Sequence, residues 1–291
     1  MTQSRFTPQR LLVACMFFVL PAAAQAQGGQ PVTPQADSIR TASRLDTQGS
    51  HAAARAMFQK LIDGAATPAA KAAAQRRMAL SYAFEGDCAA TVRYEEMVIE
   101  YWKTREQAEP QNAFYQEGEM ANEAARICID VGSLDVAERM YRRGSELGLK
   151  EPEPKTHPKS LWDFRLAHAL GRLAARRGNT GEARKQVAEA KRILDADSAM
   201  AAAQARFYPY LVGYVALYTN DLATAETELT KALAIQATDP FLHVLLGMTY
   251  EKQGDMAKAT PMFQKAYDLS TGHSPPSAFS RPFAKKKLGL P

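Results

Sequence analysis

The chain has 291 residues, 46% of them hydrophobic and 23% charged, with a formal net charge of +5. That length admits one large domain, two small ones or a continuous repeat array, and so mild a charge excludes a nucleic-acid surface built on bulk phosphate attraction. Sustained alternation of β-branched and polar residues is absent, and good helix formers dominate (Ala, Leu, Glu, Lys, Arg and Gln), so the expected class is all-α.

In chain order, residues 1–26 read as a signal peptide. Arg5 and Arg10 form its positive region, Leu11 to Leu20 its apolar region, and Ala22-Ala23-Ala24-Gln25-Ala26 its small-residue site, with cleavage after Ala24 or Ala26. Export to the periplasm or secretion is expected, and removal of Arg5 and Arg10 lowers the charge from +5 to +3. The ten-residue apolar stretch is short of the roughly 20 residues that span a bilayer, and no later segment reaches 18, so no stable membrane insertion is expected after cleavage. Leu12-Val13-Ala14-Cys15 has the look of a lipobox, which would make an envelope protein anchored through Cys15. The apolar run, however, continues past the cysteine, whereas a lipoprotein signal places it before, so ordinary cleavage is favoured. Residues 27–34 have linker composition and are expected to be disordered.

From residue 35 to 272 a helix-turn-helix pattern recurs six times. Its cleanest copy is the last: Pro240, Leu246, Gly247, Tyr250, Gly254, Ala259, Phe263, Ala266. Small residues at 247, 259 and 266 let two helices approach closely, and Leu246, Tyr250 and Phe263 make an apolar face that one hairpin cannot bury alone. Earlier copies centre on Gly49, Gly86, Gly132, Gly178 and Asn220, with small and aromatic residues at matching offsets (Ala42, Ala54, Phe58; Ala79, Ala90, Tyr94; Ala125, Ala137, Tyr141; Gly171, Ala183, Ala190; Gly213, Ala225, Leu229). The turn positions are 37, 46, 46, 42 and 34 residues apart.

These residues resemble the tetratricopeptide repeat, whose period is about 34 residues. The resemblance implies a right-handed α-solenoid of about six helix hairpins, and the longer intervals imply some elongated helices. Helical pattern runs on from Glu95 to Ala108 and again from Ser198 to Arg206, whereas Gly148 to Lys159, with Pro152, Pro154 and Pro158, reads as a loop. Pro209 and Pro261 fall within expected helices and should kink them unless the helices start later. Residues 273–291 form an expected cap: a turn at Pro275-Pro276, then a short helix whose Phe279, Phe283 and Leu288 cover the exposed end of the array. Cys88 and Cys128 fall at one edge of neighbouring repeats. They are read either as a disulfide or as two small buried apolar residues.

No catalytic, cofactor-binding or metal-binding set emerges. The five histidines are scattered, and neither a phosphate-binding loop nor a nucleophile elbow is present, so a non-enzymatic protein is expected. The resemblance implies instead a concave groove lined by the first helix of each hairpin. Carrying those positions over gives Arg76, Asn122, Arg126, Arg165, His168, Arg172, Arg176, Phe207, Tyr210, Tyr214, Tyr218 and Met248. The set is similar to the carboxylate-clamp grooves of chaperone-binding repeats, with Arg and His replacing part of the clamp. It implies a protein or peptide partner, or a partner helix, with an acidic element near the arginines and apolar groups near the tyrosines. The competing reading makes the arginines a solvated face and the aromatics core. Residues 85–123 are rich in acid and 139–192 rich in base, a polarity that suits self-association. The leading expectation is an envelope scaffold or adaptor; the alternatives are the lipid-anchored assembly factor and a regulatory subunit of an envelope enzyme.

Overall fold

The computed structural model describes residues 34–291; the expected signal peptide with its cleavage sites, Cys15 and the expected linker up to Thr33 lie outside the described residues. Residues 34–291 form one compact unit. Among the described residues there are fourteen helices. They are α1 Pro34–Thr47, α2 His51–Asp63, α3 Pro68–Phe84, α4 Cys88–Lys103, α5 Pro110–Asp130, α6 Leu134–Gly148, α7 Lys159–Arg176, α8 Thr180–Ala196, α9 Ser198–Ala203, α10 Phe207–Tyr218, α11 Leu222–Ile235, α12 Pro240–Gln253, α13 Met256–Leu269 and α14 Pro275–Lys287. Consecutive helices pack as hairpins (α1/α2, α3/α4, α5/α6, α7/α8, α10/α11, α12/α13), and each hairpin stacks on the next, as in a tetratricopeptide-like α-solenoid.

The hairpin turns follow from a two-residue chemistry. Gly49, Gly86, Gly132, Gly178, Asn220 and Gly254 all have φ between 65° and 89°, a left-handed conformation that only glycine and, less readily, asparagine adopt at low cost. The residue that follows is a Ser, Asp or Asn in the N-cap position of the second helix. Asp87, Asn179, Asp221 and Asp255 each accept a hydrogen bond from the backbone N–H three residues on, at 2.9 to 3.3 Å. Ala54, Ala137, Ala183, Ala225 and Ala259 of the second helices are completely buried.

Several expected helix bounds are corrected. α4 stops at Lys103, and residues 104–108 form turns, because Thr104 and the residues after it bring no apolar side chain to the core. The segment from Ser198 is a separate short helix, α9, capped by Asp197 and broken at residues 204–206 before α10 begins. Pro209 therefore sits in the first turn of α10, where its missing N–H is not needed; Pro261 does lie inside α13. The stretch from 149 to 158 is a loop, as its prolines dictate. α1 begins at Pro34, the last residue assigned to the linker.

Cys88 and Cys128 are joined by a disulfide, their Cα atoms 5.0 Å apart. A crosslink across 40 residues restricts the unfolded chain by about 4 kcal/mol in the loop-entropy account. Thiol titration of denatured, unreduced protein should find neither cysteine free; two reactive thiols from this pair would contradict the bond. No helix of the described residues is long and apolar enough to cross a membrane.

Candidate functional site

The inner surface is made by α3, α5, α7, α10 and α12, the first helices of their hairpins. α14 is more than an end cap: besides α13 and α12 it packs on α3 and α5, so it lies over the inner face itself. Ala278 is buried with Ala83, Phe84 and Ile127, and Phe279 stands against Phe241 with ring centres 5.2 Å apart. What stays open on the arginine-rich side is a cavity of about 230 Å³ between α5, α7 and α10, with Pro275 on its rim.

Seven of the expected groove residues border that cavity: Asn122, Arg126, Arg165, His168, Arg172, Phe207 and Tyr210. Glu119, Glu123, Tyr141, Phe164 and Gln204 join them. Glu119 and Glu123 share the helix face of Asn122 and Arg126 at three- and four-residue spacing, so periodicity along α5 alone would have identified them. Tyr141 comes from α6, a second helix, and no groove rule points to it.

The other candidates lie elsewhere. Arg76 pairs with Glu123 (Nη2 to Oε2, 2.6 Å) and borders a separate cavity of about 450 Å³. Tyr214 is completely buried, and Tyr218 and Met248 pack beside it in the α10–α12 core, which is the role of aromatics in a core rather than a shelf. Arg176 donates to the Tyr214 hydroxyl at 3.3 Å and lies over the Tyr218 ring. The expectation that Arg172 stands on a solvated face is corrected: it is only 5% exposed. Its guanidinium donates to the hydroxyls of Tyr141 (2.8 Å) and Tyr210 (3.0 Å), which fix its fork from two different helices.

The electrostatics are uneven. Arg165 is neutralised by an ion pair with Glu119, and Arg76 by Glu123. Arg126 lies over the Phe241 ring, and its buried Nε has no protein partner. Burial works against the Arg172 charge, but Tyr141, Tyr210, Tyr214 and Asp130 together hold its pKa above the ordinary value. His168 is pushed well below the usual histidine range by burial and by Arg172 and Arg126, so at neutral pH its unpartnered Nε2 belongs to a neutral ring. Burial raises the Tyr210 hydroxyl to about 12 against the pull of Arg172. Three guanidinium groups (Arg126, Arg172, Arg176) thus face one carboxylate, Asp130.

Asp130 itself has a pKa raised to about 6, because burial outweighs those three arginines. Its folded value exceeds the unfolded value near 3.9, so its contribution to stability is full below pH ~4 and is lost as pH rises through ~6. Asp130→Asn should remove that loss. Variant and wild-type stabilities should diverge in the variant's favour from pH 4 to pH 7, by on the order of 1–2 kcal/mol after solvent screening. Parallel urea midpoints at the two pH values read this; a constant offset would contradict it.

A stacked array of helix hairpins defines a helical-repeat protein. Residues 242–273, covering most of α12 and all of α13, match the family model of the tetratricopeptide repeat, and the hairpins before them have the architecture of a tetratricopeptide-like α-solenoid. No curated protein matches it.

Proposed function

We propose that this protein is a non-enzymatic scaffold of the cell envelope that receives an acidic element of a partner protein in the α5–α7–α10 cavity. The family supports a role in protein–protein interaction. The single observation that carries the finer reading is the Arg126 guanidinium, whose buried Nε has no protein partner, beside Phe207 and Tyr210 on the same cavity. An unpartnered guanidinium N–H suits an incoming carboxylate, and flat aromatic surface suits the apolar group next to it. A volume of about 230 Å³ admits one or two side chains and no helix, so the occupant is a single acidic residue or chain end. His168 Nε2, an acceptor in the tautomer that donates through Nδ1, suits an N–H of the same ligand. Export rests on the order of charged, apolar and small-residue regions before residue 27.

The test is a titration with a short peptide carrying Glu beside Phe, compared with its Gln counterpart. Arg126→Ala should weaken the Glu form by about 1.5–3 kcal/mol and flatten its salt dependence, since a charge-assisted bond is lost. Phe207→Ala should weaken both forms with little change in salt response. Equal affinities for the Glu and Gln forms would overturn the reading.

A further inference from the structure

The walls of the α5–α7–α10 cavity carry unpartnered acceptors as well as a donor. Glu123 spends Oε2 on Arg76, at 2.6 Å, while its Oε1 is buried with no hydrogen-bond partner. His168 Nε2 is likewise buried and unpartnered. Both residues border the cavity, His168 only 7% exposed and the Glu123 side chain only 8%. The donor is Arg126 Nε, buried and unpartnered on the same walls. A buried acceptor left without a donor costs free energy, just as a buried donor without an acceptor does. A carboxylate by itself would satisfy Arg126 and leave Glu123 facing a second negative charge.

The register of the two walls orders these atoms. Glu119 on α5 pairs with Arg165 on α7, 46 residues on, the interval that also separates the turn residues Gly132 and Gly178. The same interval brings Asn122 and its neighbour Glu123 level with His168, and Arg126 level with Arg172. The two acceptors thus occupy one level of the cavity and the Arg126 guanidinium the next. Residues three apart on a helix have Cβ atoms about 5–6 Å apart, which sets the distance from Glu123 to Arg126. The other cations on the walls are already held, Arg165 by Glu119 and Arg172 by the hydroxyls of Tyr141 and Tyr210.

We infer that the cavity takes an unblocked glutamate, its α-ammonium donating to Glu123 Oε1 and His168 Nε2 and its side-chain carboxylate accepting from Arg126. The inference rests on the acidic-element reading and specifies which acid enters, and how. Four bonds of about 1.5 Å each lie between the α-nitrogen and the side-chain carboxyl carbon of glutamate, enough to span about 5 Å, whereas aspartate has one bond fewer and falls short. The His168 ring, kept neutral by burial and by Arg172 and Arg126, accepts from an ammonium without repelling it. Phe207 and Tyr210 offer their surface to the group that follows. The first residue of a partner chain and free glutamate carry the same pair of charges.

Calorimetric titration of the full chain with four peptides tests this: unblocked Glu-Phe-Ser-Gly, its N-acetylated form, unblocked Asp-Phe-Ser-Gly and unblocked Met-Phe-Ser-Gly. Acetylation removes the ammonium and should weaken binding on the order of tenfold, as should each change of the first residue. Glu123→Gln should shrink the advantage of the unblocked over the acetylated peptide to within about twofold. Competition by free glutamate then identifies the source. Displacement of the peptide at matching concentration points to the small molecule; displacement only in large excess, or none, points to a chain N-terminus. Equal affinity for the unblocked and acetylated glutamate peptides, with the Met form weaker, would overturn the inference and leave the acidic-element reading standing. Equal affinity for all four, or binding of none, would overturn both. An advantage of the unblocked form that survives Glu123→Gln in full would overturn the inference alone.

Discussion

Trp162→Ala is expected to destabilise the array by about 3–5 kcal/mol, the largest stability loss of any single substitution considered. The indole is completely buried at the start of α7 and is wedged against two glycines of the preceding hairpin. A Cβ on Gly148 would stand 2.1 Å from its Cε2, and one on Gly118 would stand 2.5 Å from its Cη2. The ring therefore occupies the space that side chains on α5 and α6 would otherwise fill, and it sets the stacking of the third hairpin on the fourth. Gly148→Ala should destabilise by about 1–3 kcal/mol through overpacking against the ring. The double variant should cost less than the sum, because removing the indole frees the space that the new methyl group needs. Urea unfolding followed by circular dichroism reads all three; strict additivity would mean that the ring and Gly148 do not meet.

Arg172→Leu should cost about 2–4 kcal/mol, where a residue on a solvated face would cost within about 0.5. The substitution leaves the hydroxyls of Tyr141 and Tyr210 buried without the donor that now serves both. It also removes a guanidinium that packs over the rings of Tyr141, Tyr210 and Tyr214 at 5.4 to 5.7 Å. The buried charge carries its own desolvation penalty, so the loss belongs to the unpaired partners rather than to the net worth of the arginine. Arg172→Leu combined with Tyr141→Phe and Tyr210→Phe should therefore recover much of the stability. A triple variant no better than the single one would place the cost in packing alone.

The turns could be read in the sequence because their demand is local: a left-handed residue followed by a helix cap leaves Gly-Asp, Gly-Ser, Gly-Asn or Asn-Asp on the page. Helix lengths were less readable. Thr104 to Ala108 is composed of residues that helices accept, yet nothing there reaches the core, and propensity without burial does not sustain a helix. The inner face could be located along α5 and α7 by spacing, but its depth could not. Arg172 is buried because tyrosines 31 and 38 residues away close over it, and Tyr214 because α12 packs against it. The seating of α14 was legible only in part: Phe279 and Phe283, four residues apart, mark its contact with α12 and α13, whereas its seat on α3 and α5 left no periodic mark. It joins His273 to Asp46 across 227 residues through serines and alanines, which are as common on solvent faces as on buried ones.

The proposed acidic-element site is tested most directly by selecting a displayed random octapeptide library on the wild-type protein and on Arg126→Ala in parallel. The account predicts that wild type enriches peptides with Asp or Glu next to an aromatic or aliphatic residue, and that Arg126→Ala, folded by circular dichroism, loses the acidic preference while keeping the apolar one. Enrichment without acidic residues on wild type, or the same acidic enrichment on both proteins, would contradict it.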